Sequence, residues 1–412
     1  MKNTVCIFFS NTKIEKTLPI YGDLIESLPA EYEKFYFVNF YKIINKKKQI
    51  VFDHHKYEKK YNIKIICPNN ITEFKEFIEN RFIFAFDSLG KTLEFFKTRF
   101  LINKKNIKLL QLQNAGYFSN QNTFNAIMFE KNISKKNLFY LLKKIFIRKV
   151  VRLLVFFKIF SPIFVYFECR NDIVENCLKY ERKIGKKTKI FNYLYFQNTI
   201  RINSRSYDKS LKNVHETSED KIIFIDGNYK HGDVLYRENI DLEKIKKRYF
   251  EKLNLFLNNI SGTLNKEVIV CLHPSSDLEE YKSLLKGFKL NQLNTEKNIY
   301  SAFIVIFHES SSIDTAIFLK KRIISLQTGL FGKYLLNRIK KYGEMLGLLS
   351  IDLNNSYEFD KKFIEEKTKI DEKKYNDYIN SYLKADGNEL GSTKIYKTLN
   401  FYFNLINKID EK

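Results

Sequence analysis

The chain has 412 residues, with 71 Lys and Arg against 47 Asp and Glu, a net charge of +24. That length exceeds what one hydrophobic core ordinarily serves and suits two domains. An apolar fraction of 44%, five cysteines, 14 glycines and five prolines exclude a disordered chain, a disulfide scaffold and a collagenous or linker-like protein. The charge leaves nucleic acid, an anionic membrane surface and an anionic small molecule open as partners. Part of it is background: a chain rich in Lys, Asn, Ile, Phe and Tyr and without Trp has the composition of an AT-rich coding sequence.

The N-terminal apolar run, Val5 to Phe9, is too short for a signal-peptide core, so a cytoplasmic location is expected. Short apolar, β-branched or aromatic runs then alternate with longer polar stretches. Strands are expected at Thr4–Phe9, Phe35–Phe40, Ile63–Cys67, Phe82–Asp87, Ile107–Gln113 and Lys189–Tyr195. Gly90-Lys91-Thr92 has the ending of a phosphate-binding loop, but Ala85 stands where that loop needs its first glycine, which excludes it.

From Lys131 to Phe160 there are nine Lys and Arg and no Asp or Glu. Phe139, Leu142, Phe146, Val150, Leu153 and Phe157 recur at helical spacing on one face, with Lys144, Arg148 and Arg152 opposite. Such a helix either lies on an anionic bilayer, through those three cations, or turns its apolar stripe into the domain core. No run reaches the roughly 18 uncharged apolar residues of a spanning helix.

Ser204–Asp220 lacks apolar periodicity and is the expected linker between two halves. Beyond it, strands are expected at Ile222–Asp226, Val268–His273, Phe303–His308 and Arg322–Leu326. Helical spacing follows at Tyr375–Tyr382, a break at Asp386-Gly387-Asn388, and a last helix from Ile395 to Ile409. Strands alternating with helices in both halves predict an α/β protein with parallel sheets.

Neither a GxGxxG, a CxxC nor a D-x-D spacing occurs, so no metal site is expected. Three strand ends in the second half concentrate reactive side chains where parallel sheets bind ligands. The first is Asp226-Gly227, after an apolar run. The second is His273-Pro274-Ser275, whose histidine can donate to a phosphate. The third is His308-Glu309-Ser310-Ser311-Ser312, whose hydroxyls precede a helix and, with its free N–H groups, offer an anion site. Each alone also reads as an ordinary turn or cap.

With these motifs in view, Lys221 to Gly329 resembles the surface-polysaccharide glycosyltransferases of the two-domain GT-B type, and among them the bacterial sialyltransferase and polysialyltransferase group. That group's acidic-Asp-Gly, His-Pro and Ser-Ser motifs correspond to Ile225-Asp226-Gly227, His273-Pro274 and Ser310-Ser311-Ser312; Ile225 stands where the group has a second acidic residue. The resemblance implies two Rossmann-like domains with a cleft between them: 1–205 on the acceptor side, including the basic segment 131–160, and 206–412 holding the nucleotide sugar, with the C-terminal helices. It implies a metal-independent inverting transfer in capsule or lipooligosaccharide synthesis. Asp226 would be the base and His273 would stabilise the leaving phosphate. Gly227, Pro274, Ser275, His308, Ser310, Ser311 and Ser312 would line the donor site. No cofactor is implied beyond a nucleotide-sugar donor, CMP-linked, such as an activated sialic acid. The implied partners are that donor, a glycan or lipid-linked glycan acceptor and an anionic inner-membrane surface, not nucleic acid. Two alternatives stay open. One is a CDP-polyol phosphotransferase or capsule polymerase of the teichoic-acid type, although Asn114-Ala115-Gly116 stands where those enzymes carry His-Gly. The other is a non-enzymatic glycan- or nucleic-acid-binding protein.

Overall fold

A computed structural model describes residues 3–9, 18–44, 55–78, 84–88, 102, 107–113, 146, 150, 153–154, 157, 159–160, 163–172, 174–175, 196–212, 219–227, 229–230, 241–274, 276–292, 294–355 and 359–410. The chain divides into two compact units. The described parts of the first run to Arg205 and resume at Ala385; those of the second run from Ser206 to Lys384.

The first unit contains β1 (Asn3–Phe9), α1 (Leu18–Glu26), β2 (Tyr32–Asn39), α2 (Tyr41–Ile44), α3 (His55–Tyr61), β3 (Ile63–Ile66), α4 (Ile71–Ile78), β4 (Phe84–Ser88), β5 (Lys108–Gln113), β6 (Ile163–Glu168) and β7 (Phe196–Arg201). Its seven strands pair in the order β3-β2-β1-β4-β5-β6-β7, all parallel. Alternate residues of one strand serve opposite cores. Val5, Ile7 and Phe9 of β1 enter one, and Cys6 and Phe8 enter the other. A sheet covered on both faces needs such near-continuous apolar strands, which is how they were recognisable.

The second unit follows with α5 (Arg205–Lys212), β8 (Lys221–Ile225), α6 (Leu242–Leu264), β9 (Glu267–Cys271), α7 (Leu278–Leu284), β10 (Lys289–Asn291), α8 (Thr295–Tyr300), β11 (Ala302–Phe307), α9 (Ile313–Phe318), β12 (Arg322–Gln327), a 3-10 turn at Gly329–Phe331, α10 (Gly332–Leu346), β13 (Leu349–Asp352), α11 (Lys361–Lys367) and α12 (Glu372–Tyr378). Its parallel sheet has the order β10-β9-β8-β11-β12-β13. Ile222 and Phe224 of β8 face the core that includes α6; Ile223 and Ile225 face the one that includes α9 and α12. Burying each such side chain contributes roughly 1.5–3 kcal/mol. Both units are therefore Rossmann-like, as the sequence pattern and the resemblance led us to expect.

Two expectations require correction. Ser204–Asp220 is not a bare linker: its first part is α5, with Tyr207, Asp208 and Ser210 buried and Tyr207 packed edge-on to Phe318, ring centroids 5.1 Å apart. The C-terminal helices do not all belong with 206–412. The last helix, α13 (Gly391–Asp410), packs in the first unit, where Ile395, Tyr396, Leu399 and Phe403 join its core. There the Tyr396 hydroxyl donates to the Leu24 carbonyl at 2.5 Å, and Tyr32 donates to Asn400 at 2.6 Å. Asn203 ties the returning chain down, accepting from the Ala385 N–H at 2.8 Å and donating to the Glu389 carbonyl at 3.0 Å. The expected strand Lys189–Tyr195 lies outside the described residues; β7 follows it in sequence.

Candidate functional site

The strand order of the second unit fixes where a ligand site belongs. Counting from β8, it is 3-2-1-4-5-6, and the connections reverse direction between β8 and β11. At that reversal the loops after the two strands diverge and leave a crevice at their carboxyl ends. Ile225 is level with Cys271 of β9 and Phe307 of β11. The next residues, Asp226, Leu272 and His308, therefore lie side by side, neighbouring strands being about 4.8 Å apart. Two of the three motifs flank the reversal itself, and the third ends the adjacent strand β9.

Gly227 shows how tightly the two loops approach. A Cβ there would lie 2.7 Å from the carbonyl oxygen of Glu309, so no side chain fits without moving the β11 loop. The loop is held from two sides. The Glu309 carboxylate pairs with the buried Arg338 guanidinium of α10. His308, 3% exposed, uses both ring nitrogens inside the protein: Nδ1 bonds the Leu326 carbonyl at 2.6 Å and Nε2 the Tyr249 hydroxyl at 2.9 Å. Burial pulls its pKa down to about 4, against a smaller upward pull from the Leu326 carbonyl. A neutral ring donating from Nδ1 and accepting at Nε2 fits these partners. His308 was expected to contact the donor; its surroundings make it an internal brace instead.

Asp226 is 3% exposed and accepts a 2.7 Å hydrogen bond at Oδ2 from Tyr281. Tyr281 lies on α7, whose first turn is set by Asp277, accepting from the Glu279 and Glu280 N–H groups at 3.0 and 3.2 Å. Burial, and next the Asp226 carboxylate, push the Tyr281 phenol far upward; the same two causes act on Tyr249. Both phenols thus remain hydrogen-bond donors.

His273 is half-buried and Pro274 exposed, while Ser275 lies outside the described residues. The turn is clamped by Gln292, whose Nε2 donates to the carbonyls of His273 (3.4 Å), Pro274 (3.3 Å) and Ser276 (2.7 Å). In the third motif the first amides of α9 are already used: those of Ile313, Asp314 and Thr315 donate to the carbonyls of Ser310, Ser311 and Ser312 at 3.3, 3.2 and 3.2 Å. Ser310 Oγ accepts from the Ser312 N–H at 3.2 Å. The anion site expected from free helix amides therefore reduces to the hydroxyls, and those of Ser311 and Ser312 make no hydrogen bond among the described residues. Ser311 is exposed, and Ser310 and Ser312 are half-buried.

Sequence reasoning missed Tyr249, Tyr281, Gln292 and Arg338. Tyr249, Tyr281 and Arg338 lie on helices and Gln292 directly follows the short strand β10, so only the tertiary fold brings them there. Lys144, Arg148 and Arg152 lie outside the described residues. No group of three or more His, Cys, Asp or Glu positioned to hold a metal occurs among the described residues, and none of their helices is long and apolar enough to cross a membrane.

No protein-family model matches the chain, and no curated protein matches it. Solved structures do. The UDP co-structure of Staphylococcus aureus MnaA aligns over 99% of this chain and 98% of its own, with a TM-score of 0.50 and 11% identity. A glycosyltransferase from Rickettsia africae aligns over 98% and 99%, with a TM-score of 0.48 and 12% identity. The wall teichoic acid polymerase TagF aligns over 99% and 90%, with a TM-score of 0.47 and 12% identity. At such identities the likeness to MnaA is one of fold, and the fold is two Rossmann-like α/β domains of the GT-B type.

Proposed function

We propose that the chain is a glycosyltransferase of bacterial surface-polysaccharide synthesis, acting in the cytoplasm on a nucleotide-activated sugar, CMP-linked as in activated sialic acid. The single observation that carries this reading is the reversal between β8 and β11, where Gly227 leaves room only for the Glu309 backbone and Asp226, His273 and the serine loop share one sheet edge. The resemblance of the three motifs supplies the chemistry. The acceptor hydroxyl attacks the anomeric carbon as its proton passes to the Asp226 carboxylate, held in place by Tyr281. The bond from that carbon to the phosphate oxygen breaks, and the nucleotide leaves with the electron pair. His273 and the hydroxyls of Ser311 and Ser312 hydrogen-bond the departing phosphate. Ser310 shapes the loop. No metal is assigned a role. The acceptor is a growing glycan.

Nucleotide release from CMP-, CDP-, UDP- and GDP-activated donors tests the reading. Release of CMP alone is expected. Turnover of CDP-glycerol or CDP-ribitol would instead point to a polyol phosphotransferase, and absence of both turnover and nucleotide binding would contradict an enzymatic role. Asp226→Asn and His273→Ala should each lower the rate at least about 100-fold, the ordinary contribution of a positioned acid or base. Rates within twofold of the unmodified chain would remove these residues from the mechanism.

A further inference from the structure

Two phenols brace the strand ends, Tyr281 on Asp226 and Tyr249 on His308, and they come from different helices, α7 and α6. Such a brace fixes its target only as well as its own helix is fixed. One side chain ties both helices to the chain that leaves β8. Glu280, the residue before Tyr281, accepts three hydrogen bonds: from the Tyr229 hydroxyl at 2.7 Å, the Lys230 ammonium at 2.6 Å and the Lys246 ammonium at 2.5 Å. Tyr229 and Lys230 follow closely on Asp226, and Lys246 lies one turn before Tyr249 on α6. The rings of Tyr249, Phe250, Tyr229 and Tyr281 form a packed row beside this node, with successive centroids 4.9, 5.2 and 6.0 Å apart.

The Glu280 side chain is only 16% exposed. Charge-assisted hydrogen bonds to a largely enclosed carboxylate hold their partners more firmly than an exposed surface pair does. Desolvation pulls the Glu280 pKa upward, but the hydrogen bonds from Lys230, Lys246 and Tyr229 prevail and hold it at about 2, so the node stays ionised. We infer that Glu280 is a positioning residue: it keeps α6, α7 and the chain after β8 in one register, so that Tyr281 aims the Asp226 carboxylate at the acceptor hydroxyl. The inference rests on the glycosyl-transfer reading and extends it to a residue that acts only through Tyr281. A carboxylate serving stability alone would change folding and leave turnover per folded molecule unaltered.

The test is steady-state release of CMP from CMP-activated sialic acid by the full chain, with calorimetric titration of CMP alongside. Glu280→Gln keeps the side chain's size and an acceptor for Tyr229 but removes the charge that gathers both lysines. It is expected to lower kcat at least about tenfold, since a displacement of about 1 Å at reacting groups can cost about 100-fold. KM for the donor and the affinity for CMP should stay within about twofold, the mark of a loss confined to the transition state. Lys246→Met, at a side chain 23% exposed, should lower kcat in the same way and carries the test if Glu280→Gln does not fold. Glu280→Gln/Tyr281→Phe should lose no more than the larger single loss, because both changes act on one brace. A kcat within about twofold of the unmodified chain in the folded variant, a change in KM alone, or single losses that multiply in the double variant would each overturn the inference. An unmodified chain that neither binds nor releases CMP would instead overturn the glycosyl-transfer reading, and this inference with it.

Discussion

Asp226 and His308 lie side by side at the ends of adjacent strands, yet their surroundings give them different tasks. Asp226 is held by a phenol that stays protonated, so its carboxylate is oriented toward one use. His308 is enclosed by Tyr249, Phe224 and Phe331 and braces the β11 loop as a neutral ring. Its pKa falls from 6.5 in a free chain to about 4 in the fold, so the unfolded chain binds the proton more readily. The stabilisation is therefore complete above about pH 6.5 and is lost as pH falls toward 4, amounting to roughly 3 kcal/mol across that window. Urea unfolding of the protein from pH 7 to pH 4 should show this slope, and His308→Leu should flatten it. An identical slope in the variant would mean that His308 does not carry it.

At the scale of elements, the second-unit site was largely readable because each catalytic candidate ends an apolar strand. A run such as Phe303–Phe307 has to be a buried strand, and the polar residues after it have to emerge at a sheet edge. The strands that escaped notice lack that contrast. β10 has three residues and β13 four, both near the sheet margin, and β7 carries polar residues at its centre. β6 follows the basic segment directly and drew no strand expectation. The braces were not readable at all. Tyr281 and Asp226 are 55 residues apart, and Tyr249 and His308 are 59 apart, so only the sheet order makes them neighbours. The serine loop was read as an anion site from its hydroxyls and helix amides together. The amides turned out to be used by the short helix itself, a matter of backbone geometry that residue types do not encode.

At the scale of the molecule, the two units each repeat the same parallel-sheet plan, and the chain returns to the first after completing the second. The last helix fills the first unit's core with Ile395, Tyr396, Leu399 and Phe403. A chain ending at Lys384 should therefore expose that core while leaving the second sheet protected. Hydrogen exchange should rise in β1 and β2 and stay unchanged in β8 and β11; the opposite pattern would place the helix elsewhere. The central claim is that the reversal between β8 and β11 holds the phosphate of a nucleotide. Calorimetric titration of CMP into the unmodified chain and into Gly227→Val tests it most directly, because the added side chain must displace the Glu309 backbone. Binding by the unmodified chain and a loss of at least about tenfold in the variant, equivalent to about 1.4 kcal/mol, are predicted. Equal affinity in the two, or no binding of CMP by either, would contradict the claim.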